Sequence, residues 1–265
     1  MRTMVEDVSR HYREIDLQRR REGSPPVPND QREEAIRGDS AQIYNFIGAY
    51  YIYNAWVHES MYELALSNFT RAVDYAQDWY LPYENMGDVY SYTSRQRQAL
   101  LNYDRALALT ERITDQSERT EAVCRIRIAK GLAQLQSNER LLIEEAHNAI
   151  EGIKADCIDV PRPTARLLYD FACWHAIAVR LDPGSHDARS TARLYLAASL
   201  ARDRERELWA WAELDPDIHD NIREGLDELK LRLEALLSEV PELPGLPNSE
   251  FWPLINLALA EVGWP

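Results

Sequence analysis

Apolar and polar positions recur along this chain with the 3.6-residue period of amphipathic helices, and no long alternating β-type run interrupts them. Val5, Val8, Tyr12 and Ile15, continued by Arg19, share one stripe and predict a helix over residues 3–22. The segment Gly23-Ser-Pro-Pro-Val-Pro-Asn-Asp30 ends it, because proline fixes φ and removes backbone donors. Helices over about 41–58 and 60–77 follow, and then a pair within 80–112 with Pro82 in the first turn. A longer helix spans about 117–136, carrying Val123, Ile126, Ile128, Ala129, Leu132 and Leu135. After the proline-containing link 156–163, helical patterns at 165–179 and 192–200 flank the loop Leu181-Asp-Pro-Gly-Ser185. One long helix is expected over 218–239, with Ile222, Leu226, Leu229, Leu233, Leu236 and Leu237 on one side. The stiff connector Pro241-Glu-Leu-Pro-Gly-Leu-Pro247 then leads to a last apolar helix. Ala, Leu, Arg and Glu, strong helix formers, dominate throughout, so the fold class is all-α.

Within 83–106 the spacing is more specific. Tyr83, Met86, Gly87 and Tyr90 place large, small and aromatic residues on one helix face, and Ala99, Tyr103 and Ala106 place small, aromatic and small residues on one face of the next helix. Small residues at the crossing let two antiparallel helices approach closely. Ala65, Phe69 and Ala72 stand 34 positions before Ala99, Tyr103 and Ala106. A 34-residue period of helical hairpins resembles the tetratricopeptide repeat family. In that register Trp56 stands in the place of Tyr90, and Tyr53 in the place of Gly87, which predicts a looser or modified first hairpin. Leu142, Ala146 and Ala149 repeat the 4-then-3 spacing 43 residues on. Phe171, Ala172 and His175 with Ala192, Leu196 and Ser199 fit a fourth hairpin, and Trp209 to Asp217 resembles the run that closes such arrays.

The resemblance implies a right-handed α-solenoid of about four hairpins. Its expected divisions are an N-terminal helix and Pro-rich linker at 1–40, the repeat array at 41–217, and a capping helix with a hydrophobic tail helix at 218–265. That tail, with Phe251, Trp252, Leu254 and Ile255, is expected either to pack back on the cap or to dock another chain or a second copy.

A net charge of −14 argues against a general affinity for nucleic acid, whose phosphates call for clustered Lys and Arg. The cluster Arg19-Arg20-Arg21 has Glu14, Asp16 and Glu22 beside it and reads as a solvated helix face. No apolar run of 18 residues is present and the N-terminus has no apolar signal region, so no membrane span and a cytoplasmic location are expected. Cys124, Cys157 and Cys173 form no CxxC pair, and their odd number is unlike a disulfide framework.

Phosphate-loop, dinucleotide, HExxH, GxSxG and EF-hand patterns are all absent, so no cofactor is signalled. Cys157, Cys173 and His175 make a poor zinc set, since Cys173 and His175 diverge on one helix. Glu144, Glu145 and His147 read as a charged surface. Arg180 and His186 share an Arg-x5-His spacing with certain helical ribonucleases, but across the Asp182-Pro183-Gly184 loop. What the resemblance leaves as a functional surface is the inner face of the first helices, which in the family holds partner peptides or helices. On it the register places Tyr50, Asn54 and Val57, then Leu81, Glu84, Asn85 and Asp88. Asn54 and Asn85 match places kept as asparagine by carboxylate-gripping members, but the accompanying lysines are missing, and Glu84 and Asp88 would repel a carboxylate. The expected function is therefore a non-catalytic scaffold or adaptor for a basic or apolar protein segment. The alternatives are a sensor module of a larger signalling or defence assembly, or a helical enzyme using Arg180 and His186 or an acidic pocket.

Overall fold

The computed structural model describes residues 4–22, 24–25, 27–55, 58–182, 186–215 and 217–264, and every regular element among them is helical. Gly23, Pro26, Trp56, Val57, Pro183, Gly184, Ser185 and Pro216, together with the side chain of Val5, lie outside the described residues. None of the described helices is long and apolar enough to cross a membrane. The chain divides into two units, Met1–Arg112 and Ile113–Pro265.

The first unit holds α1 (Met4–Arg21), α2 (Asn29–Asn54), α3 (Ser60–Tyr75), α4 (Tyr80–Tyr92) and α5 (Gln96–Thr110). Its second helix begins at Asn29, so residues read from sequence as linker up to 40 are its first three turns. Helix formers over Arg32–Arg37 carry it, and α1 braces it. Tyr12 donates to Asp39 at 2.9 Å. Asp16 accepts from the Val27 amide at 3.1 Å and from Arg32 at 2.7 Å, and these bonds, the amide foremost, hold its carboxyl below the usual range.

α2 packs on α3 and α4 packs on α5, forming two hairpins that meet through α3 and α4. Ala65, Phe69 and Ala72 in α3, like Ala99, Tyr103 and Ala106 in α5, are fully buried, as the spacing predicted. Opposite Tyr103 lies Gly87, where an added Cβ would sit 2.5 Å from the ring. Opposite Phe69 lies Gly48, with the ring still closer. The first hairpin thus crosses as tightly as the second. Tyr53 does not stand in Gly87's place; it is exposed, and Gly48, five residues earlier, supplies the crossing. First-helix places therefore repeat at 39 residues while second-helix places repeat at 34. The five extra residues are spread over the end of α2, the connection at 55–59 and the start of α3.

In the second unit, α6 (Gln116–Leu135), α7 (Arg140–Cys157), α8 (Ala165–Leu181) and α9 (His186–Arg202) are followed by α10 (Glu207–Leu214), α11 (Asp220–Arg223), α12 (Leu226–Glu239), a 3-10 turn at Leu243–Gly245 and α13 (Asn248–Glu261). Asp115 caps α6 by accepting from the Glu118 amide at 2.8 Å, and Thr164 caps α8 through the Leu167 amide at 3.3 Å. The core lies between α8 and α9, where Leu168, Phe171, Trp174, Ile177, Leu196 and Leu200 are completely buried. Gly131 of α6 faces the Trp174 ring, a third crossing of glycine on aromatic. α7 turns Ala146 and Ile153 inward, with Ile143 and Ile150 beside them, whereas Ala149 is exposed; the predicted 142/146/149 face is off by part of a turn. Cys124 and Cys157 form a disulfide between α6 and α7, with Cα atoms 5.5 Å apart, and leave Cys173 as the buried free thiol.

The single helix expected over 218–239 is two. Gly225 takes a left-handed φ of +80°, and the Trp264 indole lies where a side chain would otherwise project. The same indole donates to the Glu224 carbonyl at 2.7 Å, so the C-terminus seals this break. Phe251 and Ile255 are fully buried, and Trp252 and Leu254 are partly buried on the same core. Phe251 and Ile255 are therefore interior, and the tail helix packs back on α9 and α12. Arg202 fixes the approach: its guanidinium lies 3.9 Å from the Phe251 centroid and donates to the carbonyls of Pro244 and Leu246 and to the Asn248 side chain.

Candidate functional site

Between Asp39 and Glu59 the chain has no charged residue, in a sequence that is 28% charged. In α2 this run contributes Ala41, Tyr44, Asn45 and Gly48 to the interior and leaves the opposite face open. On that open face stand Phe46, Tyr50 and Tyr53, at i, i+4 and i+7, with 74%, 59% and 65% of their surface exposed, and the small Ala49 between them. Setting Gly48 on Gly87 places Tyr53 in correspondence with Tyr92 of α4, which is 45% exposed and lies 6.2 Å, centroid to centroid, from Tyr62. Asn85 of α4 donates to Asn45 of α2 at 2.9 Å and joins the two helices next to Phe46. This face within the first unit is the candidate site: aromatic, uncharged along α2, with polar groups at its α4 side.

The residues expected from sequence reach it unevenly. Tyr50 is on the face. Asn54, one turn beyond Tyr50 and half-buried, turns its amide back to the Tyr50 carbonyl at 2.7 Å. Val57 lies outside the described residues. Leu81 is half-buried at the start of α4, and Glu84 is 3% exposed, so its carboxylate is interior and does not line a groove. Asp88 is half-buried and accepts from the Tyr103 hydroxyl at 2.8 Å. Burial first, then the charge of Asp88, pushes Tyr103 well above its ordinary range and keeps it a neutral donor. Asn54 and Asn85 are therefore not equivalent positions, and the asparagine pair that does form is Asn45 with Asn85. Phe46 and Tyr53 were missed as surface residues because the 34-residue register turned α2 the wrong way; the uncharged, aromatic-rich run was the available signal.

A second gathering of polar groups lies in the other unit. Tyr169 donates to Asp215 at 3.0 Å, with the Cys173 thiol 3.8 Å from the same carboxylate oxygen. Gln136 donates to Asp217 at 2.9 Å, and Arg166 pairs with Asp170 at 2.9 Å. Burial, then neighbouring Asp215, pushes Asp217 up to about 7; burial also raises Asp170. Each of these groups already has a protein partner, and together they fasten the α10–α11 connection to α6 and α8. No group of histidine, cysteine and carboxylate ligands among the described residues is arranged to hold a metal. The zinc set fails at Cys157, which is bonded to Cys124, while His175 stacks on Tyr195 and burial lowers it to about 4. Arg180 and His186 are both exposed, on either side of the undescribed loop.

No protein-family model, no curated protein and no solved structure matches this chain.

Proposed function

We propose that the chain is a protein-interaction scaffold whose docking face is the α2 and α4 surface of the first unit. One observation carries this reading: three large aromatic side chains on a single helix face, each more than half exposed, with no charge beside them along α2. A patch of this kind costs solvation free energy when left in water, and a partner recovers it. Tyrosine and phenylalanine give large contact areas for few frozen torsions, which is why they anchor interfaces. The partner segment is a helix or an extended peptide with apolar anchors, and basic side chains suit the Asp88 side.

The arrangement of residues 29–110 supports a tetratricopeptide-like reading, with small residues and one buried aromatic at each hairpin crossing. In this reading the rigid hairpins hold the aromatic stripe in place, so little order has to be imposed on binding. The test is recovery of the tagged protein from its native host at moderate salt, with co-purifying chains quantified by mass spectrometry. A stoichiometric partner is expected, and it should be lost from the triple variant Phe46→Ala, Tyr50→Ala, Tyr53→Ala while helical content is unchanged. Undiminished recovery of that partner by the triple variant would overturn the assignment. Leu141→Ala, on the exposed side of α7, serves as the control.

A further inference from the structure

Resting on that docking face, we infer that its occupant is α2 of a second copy of this chain, in an antiparallel, two-fold pairing. Charge is the first argument. Two copies that each carry −14 repel one another over most of their surface. Residues 40–55, the part of α2 and its cap with no acidic or basic side chain, are where two such chains approach without opposed charges. Shape is the second. The stripe is symmetric about Ala49 and Tyr50, with an aromatic ring toward each end and the small residue near its middle. Turned end for end on itself, it sets Phe46 of each copy against Tyr53 of the other and leaves the depression at Ala49 for a ring from the facing helix. That is the self-complementarity an isologous contact requires.

Area is the third argument. Aromatic side chains present about 150–250 Å² each. At the observed exposures, six rings remove on the order of 800 Å² from water. Gln42 and Ala49, both exposed, and the half-buried neighbours on α2 extend this toward the roughly 1,200 Å² at which stable interfaces begin.

Sedimentation equilibrium of the full chain from about 1 to 200 μM tests the inference, with the range set by affinities typical of small interfaces. A species of twice 30.7 kDa is expected to dominate at the upper end. Phe46→Glu with Tyr53→Glu should weaken association at least ~30-fold, the factor for losing one hot-spot contact, and leave the circular dichroism spectrum unchanged. Ala49→Cys gives a second measurement that does not depend on any drastic variant. With Cys124 and Cys157 bonded and Cys173 buried, the new thiol is the accessible one, and copper–phenanthroline oxidation should link two chains through it. Leu141→Cys, also at an exposed position but on α7, should not link. A monomer at all concentrations, or a dimer indifferent to Phe46 and Tyr53, overturns the second-copy assignment. If that monomer still loses a different stoichiometric partner on Phe46→Ala, Tyr50→Ala, Tyr53→Ala, the docking face stands and only its occupant is wrong.

Discussion

Gly48→Ala decides whether the first hairpin crosses where the structure places it. Alanine is favoured over glycine inside a helix by about 1 kcal/mol, so in open space the change stabilises. Gly38, ten residues earlier on the same helix, offers that space: a Cβ there meets nothing within 4 Å. Gly38→Ala is therefore expected to stabilise the protein by about 1 kcal/mol. At Gly48 the same methyl runs into the Phe69 ring, which is completely buried in a cluster with Ala65, Leu66, Met86 and Val89. Overpacking of this kind costs about 1–3 kcal/mol, which outweighs or at least cancels the propensity gain and leaves a net loss of up to ~2 kcal/mol. Tyr53→Ala, at an exposed position, should change stability by no more than about 0.5 kcal/mol. Urea unfolding followed by circular dichroism reads all three as shifts of the midpoint at constant slope. If the 34-residue register governed α2, Tyr53 would lie in the crossing and its truncation would cost about 3–5 kcal/mol. Gly48→Ala stabilising as much as Gly38→Ala, or Tyr53→Ala costing the most, would refute the packing described here.

Three further outcomes follow from the second unit. Asp217 titrates near 7 when folded against about 3.9 when unfolded, so the folded state holds the extra proton between those values. Its contribution is accordingly greatest below pH 4 and is lost as pH rises to 7, by on the order of 4 kcal/mol. Asp217→Asn, which keeps an acceptor for Gln136, should flatten that slope and raise the melting temperature at pH 8; an unaltered profile would show that Asp217 is solvated. The Cys124–Cys157 bond closes a 33-residue separation, for which loop entropy gives about 4 kcal/mol, so the Cys124→Ala, Cys157→Ala pair should unfold at markedly lower urea. Arg202→Leu leaves the Pro244 and Leu246 carbonyls and Asn248 without their donor, at a cost of about 3 kcal/mol or more. Hydrogen exchange should then accelerate first in α13, and equal acceleration everywhere would argue against a local clamp.

Helical class and the burial of Phe69, Tyr103, Phe171 and Leu196 were legible in the sequence, because a 3.6-residue period fixes which side chains share a face. The distinctive face of α2 was not. A period measured on second helices carries over to first helices only if connections keep their length, and here the first hairpin holds five more residues between its two crossing places than the second does. Local pattern likewise could not tell that Gly225 breaks the capping helix, since the reason is Trp264, nearly 40 residues away. Nor could it pair Cys124 with Cys157, which the α6–α7 packing brings together, or gather Asp170, Asp215 and Asp217 around Tyr169 and Cys173. Periodicity is a property of neighbours along the chain, so the sequence determined helices and their apolar stripes. Which stripe meets which, and which aromatic rings are left facing water, depends on contacts between distant residues, and the tertiary structure alone decided it.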